Sequence, residues 1–528
     1  MRSRARRLVA ASVCAAVASA GCSARSSTPD PAPPSTNSAT ASASPSASSP
    51  IPPDGRPIQP VPDVLPYGYA DPPPGNGFNR YRTQQLSWAP CLDGLECATV
   101  RAPLDYTKPD ERALTLSLAK RKATGTPQLG TIFLNPGGPG ASGRELVAGF
   151  DSKGLERYDL IGWDPRGTND STPVQCFSKG SDYDRYLSLD VSPDDDAELE
   201  VQISADRGFG QVCLSKSGSL LQHISTAETV LDLDLLRDLV GDSKINYLGF
   251  SYGTLIGSLY AQTFPKRVGH LVLDGAVDIV DSPITQLDGF ERALNNFADW
   301  CVTRKCALGA SRDDILQAVS ELLTRLDSQP IKVGQRRLTQ SLALTGVIFP
   351  LYGQQDSWDV LRQGLEAVIK KGDGSILLRI ADVYLGRSER GTYEQHVAGL
   401  PAISCIDSQD TSVRKELAEH TAELSKKETT LGEFWDSDLV CPLWPVAPAP
   451  KLPKITARGA APIVVIGTTG DPATPYEYAV GMANQLDSGV LLTFRGYGHL
   501  AYGQSPCVRK VVQAYLNNNV VPRDKTTC

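Results

Sequence analysis

Gly249-Phe250-Ser251-Tyr252-Gly253 lies between an apolar run, 245–248, and a stretch with Leu255, Gly257, Leu259 and Tyr260 at helical spacing. That order predicts a strand, a tight turn and a helix. A serine at the apex of such a turn takes a strained backbone conformation that lifts its hydroxyl above the sheet edge, and the flanking glycines keep Cβ atoms out of the crowded bend. Ser251 is therefore the candidate nucleophile. The pentapeptide alone also fits an ordinary glycine-rich turn, and its place between strand and helix selects the catalytic reading.

The rest of the chain supplies a sheet for this turn. Segment 88–106 reads as an opening hairpin, and Leu114, Leu116 and Leu118 alternate with Thr115 and Ser117 as a strand requires. Apolar strand runs follow at 131–134, 158–163, 268–273, 461–466 and 491–494. Ser225-Thr226-Ala227-Glu228 has capping-box spacing ahead of Val230, Leu233, Leu236 and Leu239, and Gly241 marks a stop. Strands alternating with helices predict an α/β fold with a mainly parallel sheet covered on both faces. Between 281 and 455 the pattern becomes helical, at 287–300, 313–326, 358–369 and 413–423, which predicts a cap inserted over the carboxyl ends of the strands. Expected boundaries are an export signal at 1–21, a Ser/Pro/Ala-rich tether at 22–80, core at 81–280, the helical cap at 281–455 and core again at 456–528.

The signal reading rests on Arg2, Arg4, Arg6 and Arg7 before a short apolar run and a small-residue site. Ala20-Gly21-Cys22 resembles a bacterial lipobox, with Ser19 where leucine is usual, so Cys22 is the candidate lipidation site. Simple cleavage is the alternative. The net charge of -7, without long basic runs after the leader, argues against nucleic acid as a partner. Beyond Cys14 and Cys22, an even set of cysteines in an exported chain reads as disulfides. Neighbour pairing gives Cys91–Cys97, Cys176–Cys213, Cys301–Cys306, Cys405–Cys441 and Cys507–Cys528. No paired C-x-x-C or clustered histidines point to zinc, and the chain calls for no metal or cofactor.

A serine hydroxyl needs a base, and the base a carboxylate. Both should come from loops after later strands, in the order Ser, Asp, His. Asp471, in Gly470-Asp471-Pro472-Ala473-Thr474-Pro475, and His499, after the strand at 491–494, meet this. His223, His270, His396 and His420 sit in places better explained structurally, and Asp274, also after a strand, is the competing acid. Asn135-Pro136-Gly137-Gly138-Pro139-Gly140 follows a strand and can aim backbone N–H groups at a developing oxyanion. Gly138 and Tyr252 are the candidate donors, with Gly137 as substitute. Asp164 and Arg166 are expected to pair under the site.

Together with Trp163-Asp164-Pro165-Arg166-Gly167, Cys441-Pro442-Leu443-Trp444-Pro445 and Gly498-His499, these motifs resemble the tripeptidyl-aminopeptidase branch of the α/β-hydrolases. These are secreted actinobacterial serine peptidases related to prolyl iminopeptidases. The resemblance runs from about residue 85 to the C-terminus. It implies peptide-bond hydrolysis through a Ser251 acyl-enzyme, peptide or protein substrates, and cap carboxylates that hold a free amine. Glu291, Asp299, Glu433 and Asp436 are available for that, and their spacing selects none. An esterase or lipase acting on acyl esters with the same triad, and a catalytically silent envelope-binding protein, are the alternatives. The basic leader and lipobox look like those of a cell-envelope member, which implies a cell-envelope or secreted location, and with no apolar run of about 20 residues in the chain, membrane contact is expected only through the lipid on Cys22.

Overall fold

The computed structural model describes residues 51–528 apart from 66, 93, 426–428 and 437–438. The export segment, Cys22 and the first part of the expected tether lie outside the described residues. Eight strands carry the sheet: β1 Glu96–Pro103, β2 Ala113–Arg121, β3 Thr131–Asn135, β4 Asp159–Trp163, β5 Ile245–Phe250, β6 Val268–Asp274, β7 Ile463–Gly470 and β8 Gly489–Tyr497. Their spatial order is β1-β2-β4-β3-β5-β6-β7-β8, extended to an eleven-stranded sheet by the two-residue strands Tyr69–Ala70, Ala89–Pro90 and Thr526–Thr527. β2 runs antiparallel to β1 and β4, and all pairings from β4 through β8 are parallel.

The strand order reverses between β3 and β5. Chain that continues to opposite sides from such a point leaves a crevice at the carboxyl ends of the two strands. The Asn135–Gly140 loop leaves β3 there, and the Ser251 turn leaves β5 beside it.

Successive strand residues face opposite sides, so each strand feeds two cores. Phe133, Tyr247, Leu271, Leu273 and Val465 pack against helices Thr226–Leu239, Gly253–Thr263 and Tyr476–Gln485. Ile132, Leu134, Leu248, Val272 and Val464 pack on the other side with Val147 and with helix Pro506–Asn518. The capping box expected at Ser225 is present, with Ser225 and Glu228 bonded reciprocally.

The helical insertion divides in two. Helices Gln286–Arg304, Arg312–Ser328, Gln340–Ile348, Gln355–Lys371 and Ser375–Tyr384 build a core of their own, joined by a hairpin of Ile331–Val333 and Arg336–Leu338 that the helical reading of this region did not anticipate. Helix His396–Asp407 instead packs into the main core through Ala398, Ala402, Ile403 and Ile406, with Trp444 and Val446. Five disulfides, Cys91–Cys97, Cys176–Cys213, Cys301–Cys306, Cys405–Cys441 and Cys507–Cys528, follow the neighbour pairing. Among the described residues no helix is long and apolar enough to cross a membrane.

The expected tether extends too far. Among the described residues from 51 onward, Ile51 packs on a small apolar cluster and Tyr69–Ala70 pairs with β2. Arg56, only 8% exposed, donates from Nε to the Asp410 carbonyl at 3.0 Å, from Nη1 to Val446 O at 3.3 Å and from Nη2 to Ser408 O at 2.7 Å. Gly55 N–H adds a bond to Thr411 O and Gln59 N–H one to Pro445 O. Composition undercounts this segment because part of its hold on the body is polar. Arg56→Ala strands buried carbonyls, and a loss of about 1–3 kcal/mol of stability is expected. A shift of the denaturant midpoint at unchanged slope would register it, and an unchanged midpoint would show the strap to be passive.

Candidate active site

The turn after β5 is built as its residues dictate. Ser251 has φ +53°, the left-handed region that a non-glycine residue adopts only when its surroundings impose it. Here they do. Ser251 N–H donates to the Asp274 carbonyl at the end of β6 (2.9 Å), and the Ser251 carbonyl accepts from Thr254 N (2.8 Å) and Thr254 Oγ1 (2.7 Å). The Tyr247 phenol donates to Gly253 O at 2.7 Å, bracing the start of the helix. A Cβ at Gly249 would lie 2.5 Å from that same carbonyl oxygen, which is why the motif needs glycine there.

The β3 loop presses on this turn. A Cβ at Gly137 would lie 2.5 Å from Phe250 O, 2.9 Å from Tyr252 N and 3.0 Å from Ser251 Cβ. Gly137 N–H is already spent on Asn135 Oδ1 at 3.0 Å, which removes the substitute donor. Gly138 is exposed, and neither its N–H nor that of Tyr252 donates to a protein acceptor among the described residues.

His499 and Asp471 come together as the sequence order predicts. His499 Nδ1 lies 3.0 Å from both Asp471 Oδ1 and Oδ2, and 3.3 Å from Thr474 Oγ1. Asp471 is fixed in turn by Ala473 N–H (3.0 Å) and Thr474 N–H (2.9 Å) on Oδ1, and by Leu500 N–H (3.2 Å) on Oδ2. The imidazole reaches back to the turn: a Cβ on Gly275, next to the Asp274 carbonyl that holds Ser251, would lie 3.1 Å from His499 Cε1. Burial pulls the His499 pKa down, but the charge and hydrogen bond of Asp471 and the charge of Asp274 outweigh it, and the imidazole ends above its ordinary value.

Asp274, the competing acid, has a different task. Its carboxylate accepts from Ala501 N (3.0 and 3.1 Å) and Tyr502 N (2.7 Å), holding the chain just beyond His499. Burial pushes its carboxyl up to about 6 despite those bonds. The remaining histidines find partners elsewhere. His223 meets Glu228 at 2.9 Å, His270 meets Asn246 at 2.8 Å and His396 meets the Tyr384 carbonyl at 3.2 Å. His420 lies in helix Val413–Leu424, its pKa lowered by burial.

Asp164 and Arg166 do not pair with each other. Two residues apart at the end of β4, their side chains diverge. Arg166, fully buried, forms a bidentate pair with Asp232, both contacts at 2.7 Å, and also bonds the carbonyls of Pro103, Leu104 and His223. Asp164 accepts from Ser142 Oγ at 2.6 Å and from Asp170 N at 3.1 Å.

The insertion covers the His499 side. His499 N–H donates to the Tyr352 carbonyl at 2.7 Å, and the Tyr352 ring stands edge-on to the imidazole with centroids 5.6 Å apart. Phe290, Phe349 and Tyr384 surround Tyr352 with centroids 5.3, 6.3 and 6.1 Å away. On the opposite side Leu400, 37% exposed, sits against Gly140 of the β3 loop.

The four cap carboxylates offered by the sequence are dispersed. Asp299 pairs with Arg312, Glu291 accepts from Leu431 N at 2.5 Å, and Glu433 and Asp436 are exposed. A carboxylate linked to the serine turn through its side chain is one that the sequence does not single out. Asp407, half-buried, accepts from the Thr226 hydroxyl at 2.5 Å, and that hydroxyl is also bonded to the Tyr252 phenol. Nothing in the local sequence around Asp407 marks it, since its partners are remote in the chain.

Comparison with known proteins agrees with this architecture. The family model described as TAP-like protein matches residues 428–528. The chain is 35% identical to serine protease Hip1 of Mycobacterium tuberculosis (strain ATCC 25618 / H37Rv) over 84% of its own length and 91% of the relative's. It is 34% identical to carboxylesterase B of the same strain, with 84% and 90% covered, and 28% identical to the tripeptidyl aminopeptidase of Streptomyces coelicolor, with 82% and 83% covered. Identity of this extent along nearly the whole of the mycobacterial relatives means that the chain, an enzyme of α/β-hydrolase fold, belongs to the family of tripeptidyl-aminopeptidase-like hydrolases.

Proposed function

We propose that the protein is an exported serine peptidase with Ser251 as nucleophile, His499 as general base and acid, and Asp471 as the carboxylate that orients it. The observation that carries this reading is the His499–Asp471 pair beside the strained Ser251 turn, opposite two uncommitted backbone N–H groups. In this reading His499 takes the Ser251 proton as the oxygen attacks the carbonyl carbon. Asp471 holds Nδ1–H, so that Nε2 is the basic nitrogen. The Gly138 and Tyr252 N–H groups receive the oxyanion, each worth about 10² to 10³ in turnover. Protonated His499 then releases the amine, and water, deprotonated by the same imidazole, completes hydrolysis. Relatives named for serine protease and tripeptidyl aminopeptidase activities support amide hydrolysis.

Export through 1–21 and lipid attachment at Cys22 belong to the same reading. The five disulfides support an oxidising compartment. A second reading, hydrolysis of acyl esters, is favoured by the relative named carboxylesterase B, since the same triad serves both chemistries.

The deciding measurement compares three substrates of matched side chains: a peptide with a free N-terminus, its N-acetylated form and an acyl ester. Cleavage of the free peptide at least about tenfold faster than the acetylated one is expected for an aminopeptidase. Equal rates would indicate internal cleavage. Ester turnover without amide turnover would replace the peptidase reading with the esterase one.

A further inference from the structure

Helix His396–Asp407 approaches both segments that carry the proposed oxyanion donors. Near its start, Gly399 and Leu400 lie against Gly140, two residues beyond Gly138; a Cβ on Gly140 would sit 3.2 Å from Leu400 N. At its end, Asp407 reaches Tyr252 through one intermediary, Thr226. Thr226 is fully buried at the start of helix Thr226–Leu239, and its N–H donates to Asp407 Oδ1 at 3.1 Å and Oδ2 at 3.2 Å. Its hydroxyl is shared between Asp407 Oδ2, at 2.5 Å, and the Tyr252 phenol. The Cys405–Cys441 disulfide anchors this end of the helix.

A hydroxyl has one proton to give, so the chain Asp407–Thr226–Tyr252 has a direction. With Asp407 ionised, Thr226 O–H must donate to the carboxylate, and the Tyr252 O–H donates to Thr226 Oγ1. The phenol oxygen then has only lone pairs left for anything else. With Asp407 protonated, its O–H donates to Thr226 Oγ1, Thr226 O–H turns to the phenol oxygen, and Tyr252 O–H is released. Thr226 N–H is served by the other carboxyl oxygen in both states. Tyr252 is half-buried and follows the proposed nucleophile directly, so the residue that carries this phenol adjoins the point of attack and supplies the proposed oxyanion donor from its own backbone.

We propose that Asp407 is a positioning residue which, acting through Thr226, sets whether the Tyr252 phenol presents substrate with a hydrogen-bond acceptor or a donor. The proposal rests on Ser251 being the nucleophile and holds for amide and ester substrates alike. With Asp407 ionised, the phenol lone pair and the nearby negative charge favour a substrate group that donates, such as an ammonium. With Asp407 protonated, that preference is lost.

The switch falls in an accessible range. Burial pushes the Asp407 carboxyl up to about 6, against the Thr226 hydrogen bonds, and the Glu228 charge on the facing helix adds to the rise. Glu228 is itself held by His223 and lies 3.6 Å from Arg166. On Asp407's own side, the charged groups are Asp410 and Arg56, which bonds the carbonyls of Ser408 and Asp410.

The test measures the rate constants for labelling Ser251 by two peptidyl phosphonates that differ only in acetylation of the N-terminal amine. Between pH 5 and 7 a peptide amine stays largely protonated, and titration of His499 cancels in the ratio of the two rates. The free-to-acetylated ratio is expected to rise about tenfold across this range, the size of one hydrogen bond beside a charge. It should become flat in Asp407→Asn. Tyr252→Phe, which leaves the Thr226–Asp407 contact in place, should flatten it as well. A flat wild-type ratio, or a rise that survives in either variant, overturns the proposal while leaving Ser251 as nucleophile. Failure of both probes to label wild-type Ser251 at any pH removes both readings.

Discussion

Ser251→Ala should lower kcat by about a million-fold and change KM by no more than a few-fold. Loss of the nucleophile in a serine hydrolase costs this much because His499 and Asp471 then have no proton to move, while the oxyanion donors alone retain about 10³ to 10⁴ over the uncatalysed reaction. The substitution is unusually clean here. The bonds that force φ +53° at this residue, to the Asp274 carbonyl and from Thr254, are made by Ser251's backbone, so alanine inherits the same strained turn. Folding and substrate affinity should survive. Steady-state turnover, together with loss of the acyl-enzyme burst, measures the effect. Retention of more than about 1% of activity would mean that another residue attacks, since no contribution from orientation alone explains so small a loss.

Asp471→Asn should cost about 10⁴ in kcat at neutral pH and move the acid limb of kcat/KM downward. Oδ1 of Asp471 accepts two backbone N–H groups, which forces the asparagine oxygen into that position. The amide nitrogen must then replace Oδ2, where it faces Leu500 N–H and His499 Nδ1. It can only donate, so the imidazole turns to the tautomer with the proton on Nε2, and the base is aimed backwards. The pH effect has a definite sign. Catalysis requires neutral imidazole, and in the wild type His499 titrates above its ordinary value because Asp471's charge and hydrogen bond and Asp274's charge exceed the lowering by burial. Removing the largest raising contribution leaves burial dominant, so His499 sheds its proton at lower pH. A pH–rate profile with a wild-type limb above about 6.5 and a lower one in the variant is the expected result. An acid limb that does not move would mean that a group other than the His499–Asp471 pair controls it.

The sequence revealed the parts of this molecule governed by short-range rules. The Ser251 turn was legible because its glycines are required by atoms two to four residues away, such as Gly253 O against Gly249. The capping box at Ser225 and the pairing of neighbouring cysteines are local in the same sense. Asp471 and His499 were legible by order, because the parallel sheet puts the carboxyl ends of β7 and β8 on the same edge as β5. Contacts that depend on global packing were not. Arg166 was paired with Asp164 for nearness in sequence, yet a fully buried guanidinium takes the partner that can match its fork, Asp232 on a facing helix. The tether expected at 22–80 rests on its Ser/Pro/Ala-rich composition, and the attachment of its later part through Arg56 to three carbonyls has no compositional signature. Asp407 is unmarked in the sequence for the same reason as Asp232. Each is one carboxylate among many until the fold places a hydroxyl or a guanidinium against it.

The bond from His499 N–H to the Tyr352 carbonyl ties the inserted region to the main chain of the proposed base as well as covering it. A Cβ on Gly498 would lie 2.8 Å from the Gly353 carbonyl carbon and oxygen, so the two backbones are in direct contact over the residue before the base. Chimaeras that exchange this region between relatives to alter selectivity would therefore have to carry the Tyr352–Gly353 junction with its matching Gly498–His499 loop as one cassette. A graft that preserved the sheet and the proposed triad but broke that junction would leave the His499 N–H without its acceptor, with only the Gln504 side chain on the His499 carbonyl.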